Sequence, residues 1–508
     1  MDPVLDPAWT RHLPSGIAPD AVDLLRNHSL PAAWARHWAR DPNRPTIHHD
    51  GRWVGAGELD GRSRLVAGRF ARAGLVSGDR VVFSAATSAE LVIAHVAALR
   101  MGLVVVPVNC AYREREMAQI VRDCEPVAAV VDDGVRGQWI THASGGGAVV
   151  VSPEIELPDG SPSALDAVSP ADPALLCYTS GTTGAPKGAL ITHGNALASG
   201  EAVRLAWRWD ADDRLVLALP LFHMHGLGVG LHGTLLSGAS AVLQPRFDTD
   251  AVLDACRDQR ATLFFGVPTM YARLASSSRV TGLSALRLCV SGSAPLAADL
   301  HGRMARTGIR VLERYGMTET LMNVSNPYDG ERRAGTVGFP LPGVEVRLDE
   351  NGSDADAEGG EILLRGPNVF PGYWRRADAT RDAFVDGWFR SGDIGSFDDD
   401  GYLRIVGRSK DLIISGGFNV YPREVEDVLL EHPAVAEVAV VGVPSDEWGE
   451  IVTAVVVANG PVDEQSLLAH AALSLAPPKR PRTVRFVREL PRNALGKILR
   501  DEVLPREG

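Results

Sequence analysis

A chain of 508 residues is too long for one ordinary core, so two or more domains are expected. Hydrophobic residues at 45% and charged residues at 22% mark a folded globular protein, and 51 basic against 63 acidic residues, a net charge of −12, argue against nucleic acid as the main partner. Five scattered cysteines without a C-x-x-C pair fit reduced thiols in the cytoplasm better than a disulfide framework or a zinc site. The opening MDPVLDPAWTRHLPSG lacks the basic-then-apolar pattern of a signal peptide, and no apolar run reaches the ~18 residues of a membrane span.

Residues 1–30 are loosely patterned and read as an N-terminal extension. Beyond them, short β-branched runs alternate with helical patterns. Val104–Val108, Val127–Val131 and Val149–Val151 predict buried strands, and Ala89–Leu99 predicts a helix. Leu263–Val267 and Leu286–Val290 continue the rhythm, which predicts an α/β fold of mainly parallel, helix-covered sheets. Asn351–Gly360 is polar and turn-rich and reads as an exposed loop. DDDG at Asp398–Gly401 marks a turn near a domain boundary. After it, Pro422 opens a helix that Pro433 closes, and Val438–Val441 and Val452–Val457 predict strands. The last ~100 residues thus have the makings of a small α/β domain.

The segment richest in chemistry is Cys177–Leu190, CYTSGTTGAPKGAL. A short strand runs into a loop whose glycines let backbone N–H groups converge on an anion. Thr179, Ser180, Thr182 and Thr183 add hydroxyls, and Lys187 adds positive charge. The spacing is not that of a Walker A loop. His223 and His225 form an H-x-H pair with no third ligand nearby, a poor zinc site. Residues 228–233 spell G-x-G-x-x-G, but no strand precedes them, so they read as a helix with small residues. Between Lys479 and Arg500, eight basic residues face one acid, either a solvated face or a site for a polyanionic small molecule.

The loop YTSGTTGAPKG resembles the phosphate loop of the adenylate-forming superfamily, which includes acyl-CoA synthetases, luciferases and nonribosomal peptide adenylation domains. Supporting segments follow in the family's order: LPLFHMHGL, RYGMTET, GEILLRGPNVFPGYW, DGWFRSGDIG, GRSKDLIISGGFNVYPREVE and PRNALGKI. The resemblance runs from about residue 45 to the C-terminus. It implies a large multi-sheet N-terminal domain (residues 31–408) and a small, mobile α/β C-terminal lid (409–508). The implied reaction is ATP-dependent activation of a carboxylic acid as its adenylate, then transfer to coenzyme A.

Roles carried by the resemblance fall on numbered positions. The loop Thr179, Ser180, Gly181, Thr182, Thr183, Gly184 and Lys187 would hold the β- and γ-phosphates, with Thr183 reaching Mg²⁺ through phosphate. Thr318 would meet the α-phosphate, Glu319 would bind Mg²⁺, and Tyr315 with Gly316 would meet adenine. Asp393 would accept from the ribose hydroxyls, with Arg408 nearby. Lys410 would mark the hinge and Lys497 would bridge acid and α-phosphate. Gly416, Gly417 and Phe418 would line the pantetheine path, and the basic stretch 479–500 is a candidate dock for the phosphates of CoA. His223 would lie beside the acyl carboxylate, with Met224, His225, Ser291, Gly292, Ser293 and Met317 as pocket walls.

VPTMYARL, VSGSAPL, ERYGMTETLMN and LPRNALGKI resemble malonyl-CoA synthetases in particular, which implies malonate or methylmalonate as the acid. Arg273 and Arg287 are the candidates to read a second carboxylate. Met224 stands where threonine is expected, which leaves room for another small or branched acid. A medium-chain or aryl acid, or a carrier protein as acyl acceptor, are the alternatives. Oligomeric state is not legible.

Overall fold

The computed structural model describes residues 8–162, 164–179, 186–349, 359–408, 411–415, 418–445, 448–475, 477–493 and 496–504. Most of the loop expected at Asn351–Gly360 lies outside the described residues.

The chain forms two compact units. One comprises Met1–Ala334, Gly338–Glu345 and Leu364–Gly387; the other comprises Gly335–Val337, Val346–Leu363 and Trp388–Gly508. Residues 346–363 and 388–408, assigned from sequence to the larger domain, therefore fold with the C-terminal segment.

The larger unit carries two sheets. In the nine-stranded sheet, Val311–Met317, Leu288–Ser291, Leu263–Gly266, Arg214–Leu217, Ser240–Leu243 and Pro45–His49 lie side by side and parallel. In the seven-stranded sheet, Pro173–Thr179, Val104–Pro107, Arg80–Ser84, Ala128–Val131 and Val149–Val151 are parallel. The expected strands and the helix Ala89–Arg100 are all present. That helix buries every residue but Glu90, and His193–Ala206 is buried almost as completely. The sequence pattern reads Ala89–Leu99 as amphipathic, but burial on every side marks a helix enclosed by protein. Arg100 is tolerated inside because Asp60 and Asp166 each meet its guanidinium, at 2.8 and 2.7 Å.

The N-terminal extension is docked rather than loose. His12 Nε2 lies 3.1 Å from the Phe339 carbonyl, Arg11 stacks on the Phe339 ring, and Asn27 donates to Glu201. Arg208 donates to the His12 carbonyl at 2.6 Å. These contacts are polar and long-range, so no local periodicity announces them.

In the smaller unit, Val435–Ser445 and Gly449–Ala458 pair antiparallel, with Val438 opposite Val456 and Val440 opposite Ala454. The helices Pro422–Leu430 and Glu464–Ser474 pack Val425, Leu429, Leu467 and Ala471 against the inward side chains. This sheet is mainly antiparallel, unlike the parallel rule expected from the alternation. Asp398–Gly401 is a hairpin turn inside this unit, joining Trp388–Phe397 to Leu403–Arg408, with Asp398 accepting from the Tyr402 N–H at 2.9 Å.

Candidate active site

Four sequence motifs of the larger unit meet at one edge of the nine-stranded sheet. Arg214–Leu217 runs on to His223–His225, Leu263–Gly266 to the helix Pro268–Ala275, Leu288–Ser291 to Gly292–Ser293, and Val311–Met317 to Thr318–Glu319. The strands are parallel neighbours, with Ser291 level with Gly266 and Glu313, so their carboxyl ends assemble a common rim. Ligands of open α/β sheets bind at this edge.

The phosphate loop spans a hairpin. Pro173–Thr179 and Lys187–Thr192 pair in register up to Thr179 opposite Lys187. Ser180, Gly181, Thr182, Thr183 and Gly184 lie outside the described residues. Gly188 lies against Leu176, whose Cδ1 would stand 2.8 Å from an added Cβ and would have to shift to admit one. The Lys187 ammonium rests over the Tyr373 ring, 5.4 Å from its centroid.

A backbone irregularity presents Thr318 and Glu319. The antiparallel register between Val311–Met317 and Leu321–Ser325 shifts at Tyr315/Gly316, and a Cβ at Gly316 would fall 2.1 Å from the Leu321 carbonyl oxygen. Glycine permits this approach and the strand bends. Tyr315, Met317 and Thr318 are half-buried, whereas the Glu319 carboxylate is buried and accepts from the Tyr373 hydroxyl at 3.1 Å. Asn368 pins the turn from below, donating to the Thr320 and Met322 carbonyls at 2.6 and 3.2 Å. Asn368 and Tyr373 belong to GPNVFPGYW, which signalled family but not role.

At the rim's other side, His223 and His225 enter a π-helical segment, His225–Leu231, that continues as the helix His232–Ser237. Residues 228–233 are therefore helical, not a dinucleotide turn. Burial lowers His223 to about 4 and His225 well below 6.5, the latter also through the charge of Arg314. Both imidazoles are neutral at pH 7. Ser293 Oγ lies 3.3 Å from His225 Nδ1. Met224 reaches back, its Sδ 3.6 Å from Cys177 Sγ. Cys177 is buried, and burial with the Glu319 charge pushes its thiol up to about 12, so it is an inert wall.

The residue that sequence reasoning missed is Arg314. It is 5% exposed, and among the described residues its Nε and Nη2 have no hydrogen-bond partner. The guanidinium lies on Gly292, where an added Cβ would stand 2.4 Å from Arg314 Cζ. Burial lowers its pKa to about 9. His225 Nε2 and Ser291 Oγ are likewise buried without partners. A buried cation without a counter-charge is costly, and here it shares the rim with unused polar groups. The signal was available: an arginine that opens RYGMTET on a strand otherwise apolar up to Glu313.

Arg287 does not belong to this group. It precedes Leu288–Ser291 and so stands at the amino end of the strand, four residues (about 13 Å) from Ser291. Its guanidinium is spent on Asp213 at 2.7 Å and on the Trp207 and Arg208 carbonyls at 2.9 and 3.1 Å. Arg273 lies on Pro268–Ala275 with an exposed side chain, while Tyr271 and Leu274 take the buried face.

In the smaller unit, Asp393 is buried opposite Arg408, whose Nε lies 2.9 Å from Asp393 Oδ1. Lys410, Gly416 and Gly417 lie outside the described residues, and Phe418 opens the strand Phe418–Val420. Lys497 is held in a turn: its N–H donates to Asn493 Oδ1 at 3.0 Å, its carbonyl accepts from the Asn493 N–H at 2.9 Å, and Gly496 takes φ +75°. The basic stretch is partly self-neutralised. Lys479 pairs with Glu424, Arg492 with Glu437 and Arg500 with Glu426, at 2.8, 2.9 and 2.5 Å. Arg482 stacks on Trp448. Arg485 and Arg488 remain exposed.

Residues 34–374 match the model of the AMP-binding enzyme family, and residues 424–497 match that of the AMP-binding enzyme C-terminal domain. The chain belongs to the AMP-binding enzyme family. A feruloyl-CoA synthase from an Amycolatopsis species is 37% identical over 494 residues, covering 95% of this chain and 100% of the relative. A malonate–CoA ligase from Arabidopsis thaliana is 35% identical over 481 residues, covering 85% and 78%. ATP-bound MatB from Rhodopseudomonas palustris superposes with a TM-score of 0.86 at 40% identity, covering 93% of this chain and 98% of that one. The protein is an AMP-forming acid–CoA ligase, and its cofactors are ATP, Mg²⁺ and coenzyme A.

The residues present fit that set. Among the described residues no cluster of three His, Cys, Asp or Glu could hold a metal alone. Glu319 supplies one buried carboxylate, which suits Mg²⁺, an ion that takes one or two carboxylates and completes its shell with phosphate and water. Among the described residues no helix is long and apolar enough to cross a membrane.

Proposed function

We propose that the ligase activates a small dicarboxylic acid, malonate or methylmalonate, and that Arg314 reads the second carboxylate. The observation that carries this reading is the buried, unpaired Arg314 guanidinium lying on Gly292 within reach of the His225 field. A monoacid would leave that charge uncompensated, whereas a second carboxylate pairs with it through a bidentate fork. Gly292, Ser291 and Ser293 then form the floor, and His225 is a neutral donor or acceptor beside it. Arg273, from the exposed side of its helix, serves the mouth of the pocket, and Arg287 has no part in it.

The reaction follows from charge. The reacting carboxylate, beside neutral His223, attacks the α-phosphate of ATP, forming the mixed anhydride and expelling pyrophosphate. Lys187 and the loop from Thr179 hold the β- and γ-phosphates, and Thr318 meets the α-phosphate. Mg²⁺ on Glu319 neutralises phosphate charge when bound. Tyr315 and Gly316 face adenine, and Asp393 with Arg408 takes the ribose. Lys497 bridges acid and α-phosphate in this half-reaction. A turn of the C-terminal domain about Lys410 withdraws it and brings Gly416, Gly417 and Phe418 to guide the CoA thiol to the acyl carbon. Exposed Arg485 and Arg488 are the cations left for the phosphates of CoA.

Pyrophosphate release is measured with malonate, methylmalonate, octanoate and benzoate, each with and without CoA. CoA-dependent turnover strongest on the dicarboxylates supports the reading. Turnover confined to monoacids discards the dicarboxylate site and keeps the ligase. A second reading, an aryl acid, draws on the 37% identity to a feruloyl-CoA synthase and predicts that benzoate leads the panel. Turnover requiring a carrier protein in place of CoA would change the acceptor alone.

A further inference from the structure

Lys187, at the start of Lys187–Thr192, and Glu319, in the turn after Val311–Met317, approach the same tyrosine. The Lys187 ammonium sits over the Tyr373 ring at 5.4 Å, and the Tyr373 hydroxyl donates to Glu319 Oε1 at 3.1 Å. Among the described residues Lys187 makes no ion pair. An ammonium and a carboxylate in a half-buried site attract strongly, and direct contact would neutralise both. The tyrosine stands in the way of that contact.

Its own placement is firmly held. The Trp374 N–H donates to the Gly188 carbonyl at 2.8 Å, and the Phe370 N–H donates to the Glu319 carbonyl at 2.9 Å. The segment thus clips to the residue after Lys187 and to Glu319 itself. Asn195 donates to the Pro367 and Val369 carbonyls at 2.8 and 2.9 Å, and the Tyr373 N–H donates to Thr380 Oγ1 at 2.9 Å. The Phe370 ring meets the Tyr373 ring edge-on at 4.9 Å. At Gly372, φ is +150° and a Cβ would fall 2.5 Å from Thr380 Cγ2, so glycine is required for the tyrosine to point inward.

We propose that Tyr373 is a positioning residue of the ATP site, whose ring face holds the Lys187 ammonium for phosphate and whose hydroxyl fixes the Glu319 carboxylate that would meet Mg²⁺. The cation–π contact is weak enough for incoming phosphate to compete with it. The hydroxyl restricts the carboxylate to one rotamer, which the octahedral demands of Mg²⁺ reward. This rests on the assignment of Glu319 to Mg²⁺ given above.

Two variants separate the two functions of the side chain. Tyr373→Phe keeps the ring and removes the hydroxyl; Tyr373→Leu removes both. Calorimetric titration of a non-hydrolysable ATP analogue at varied Mg²⁺, alongside ATP–pyrophosphate exchange, reads each. For Tyr373→Phe, the Mg²⁺ concentration giving half-maximal analogue binding rises about 5-fold, while KM for ATP at saturating Mg²⁺ stays within about 2-fold. For Tyr373→Leu, KM for ATP rises about 10-fold even at saturating Mg²⁺. A Tyr373→Phe titration coincident with wild type overturns the proposal, and that variant is conservative enough to decide it if Tyr373→Leu does not fold. Glu319→Gln distinguishes the deeper failure: if its Mg²⁺ dependence is also that of wild type, the Glu319 assignment falls and takes the proposal with it.

Discussion

The two ends of the nine-stranded sheet's strands treat arginine in opposite ways. At the amino edge, Arg287 is matched by the Asp213 carboxylate and two backbone carbonyls, and its guanidinium also faces the Tyr328 ring at 5.3 Å. At the carboxyl edge, Arg314 is buried more deeply, and among the described residues its Nε and Nη2 have no hydrogen-bond partner, as is true of His225 Nε2 and Ser291 Oγ. Folding favours the first arrangement and opposes the second. A group that costs stability and is retained marks the place where a ligand completes the structure. The same residue type in the same sheet is thus structural at one end and held in reserve at the other.

Arg314→Met tests the sharpest form of this contrast. Turnover of malonate, as kcat/KM, falls about 10³-fold, because a site built for a second anion loses its partner. Thermal stability holds or rises, since an uncompensated buried charge is removed. A fall in Tm with unchanged malonate kinetics would reverse the roles of the two edges. Arg287→Met gives the complementary result: stability drops by about 3 kcal/mol, because buried Asp213 loses its counter-charge. Its kcat/KM at a temperature where it remains folded stays within a few-fold of wild type for every acid. Selective loss of malonate there would bring Arg287 back to the site.

The last test concerns acid. His12, His193 and His223 are lowered to about 4 and His95 to about 3, all first through burial. Their folded pKa values lie below the unfolded value near 6.5, so the unfolded chain binds protons first as pH falls. Stability is therefore complete above pH 6.5 and is lost progressively from there toward pH 4, by about 1–2 kcal/mol per histidine at pH 5. Denaturant midpoints measured at pH 7, 6 and 5 should decline in order. A midpoint that rises toward pH 5 would mean that these imidazoles gain anionic partners absent from their surroundings.

Much of this was legible in one dimension. The alternation of β-branched runs and helices carries the parallel sheets because strand period and apolar burial are local properties. The motif segments carry the family, and the rim residues His223, Glu319 and Ser291–Ser293 were named from them. The close approach of the Leu321 carbonyl to Gly316 was not read from the motif, though only glycine allows it.

What needed three dimensions was the pairing of charges. Arg273 and Arg287 are each flanked by apolar residues and Arg314 stands between Glu313 and Tyr315, so nothing local marks out which one is left without a counter-charge. Only the parallel register places Arg287 at the amino edge and Arg314 beside Gly292, because which end of a strand a residue occupies depends on strand order. Tyr373 and Asn368 were similarly invisible, since their partners Glu319 and Thr320 stand 54 and 48 positions away. The apparent basic dock at 479–500 shrank for the same reason, as Glu424, Glu426 and Glu437 come from earlier elements. Periodicity thus determined the fold class, and the resemblance of the motif segments to a known family implied the reaction. Long-range pairing decided which of several like charges were left free to meet a substrate.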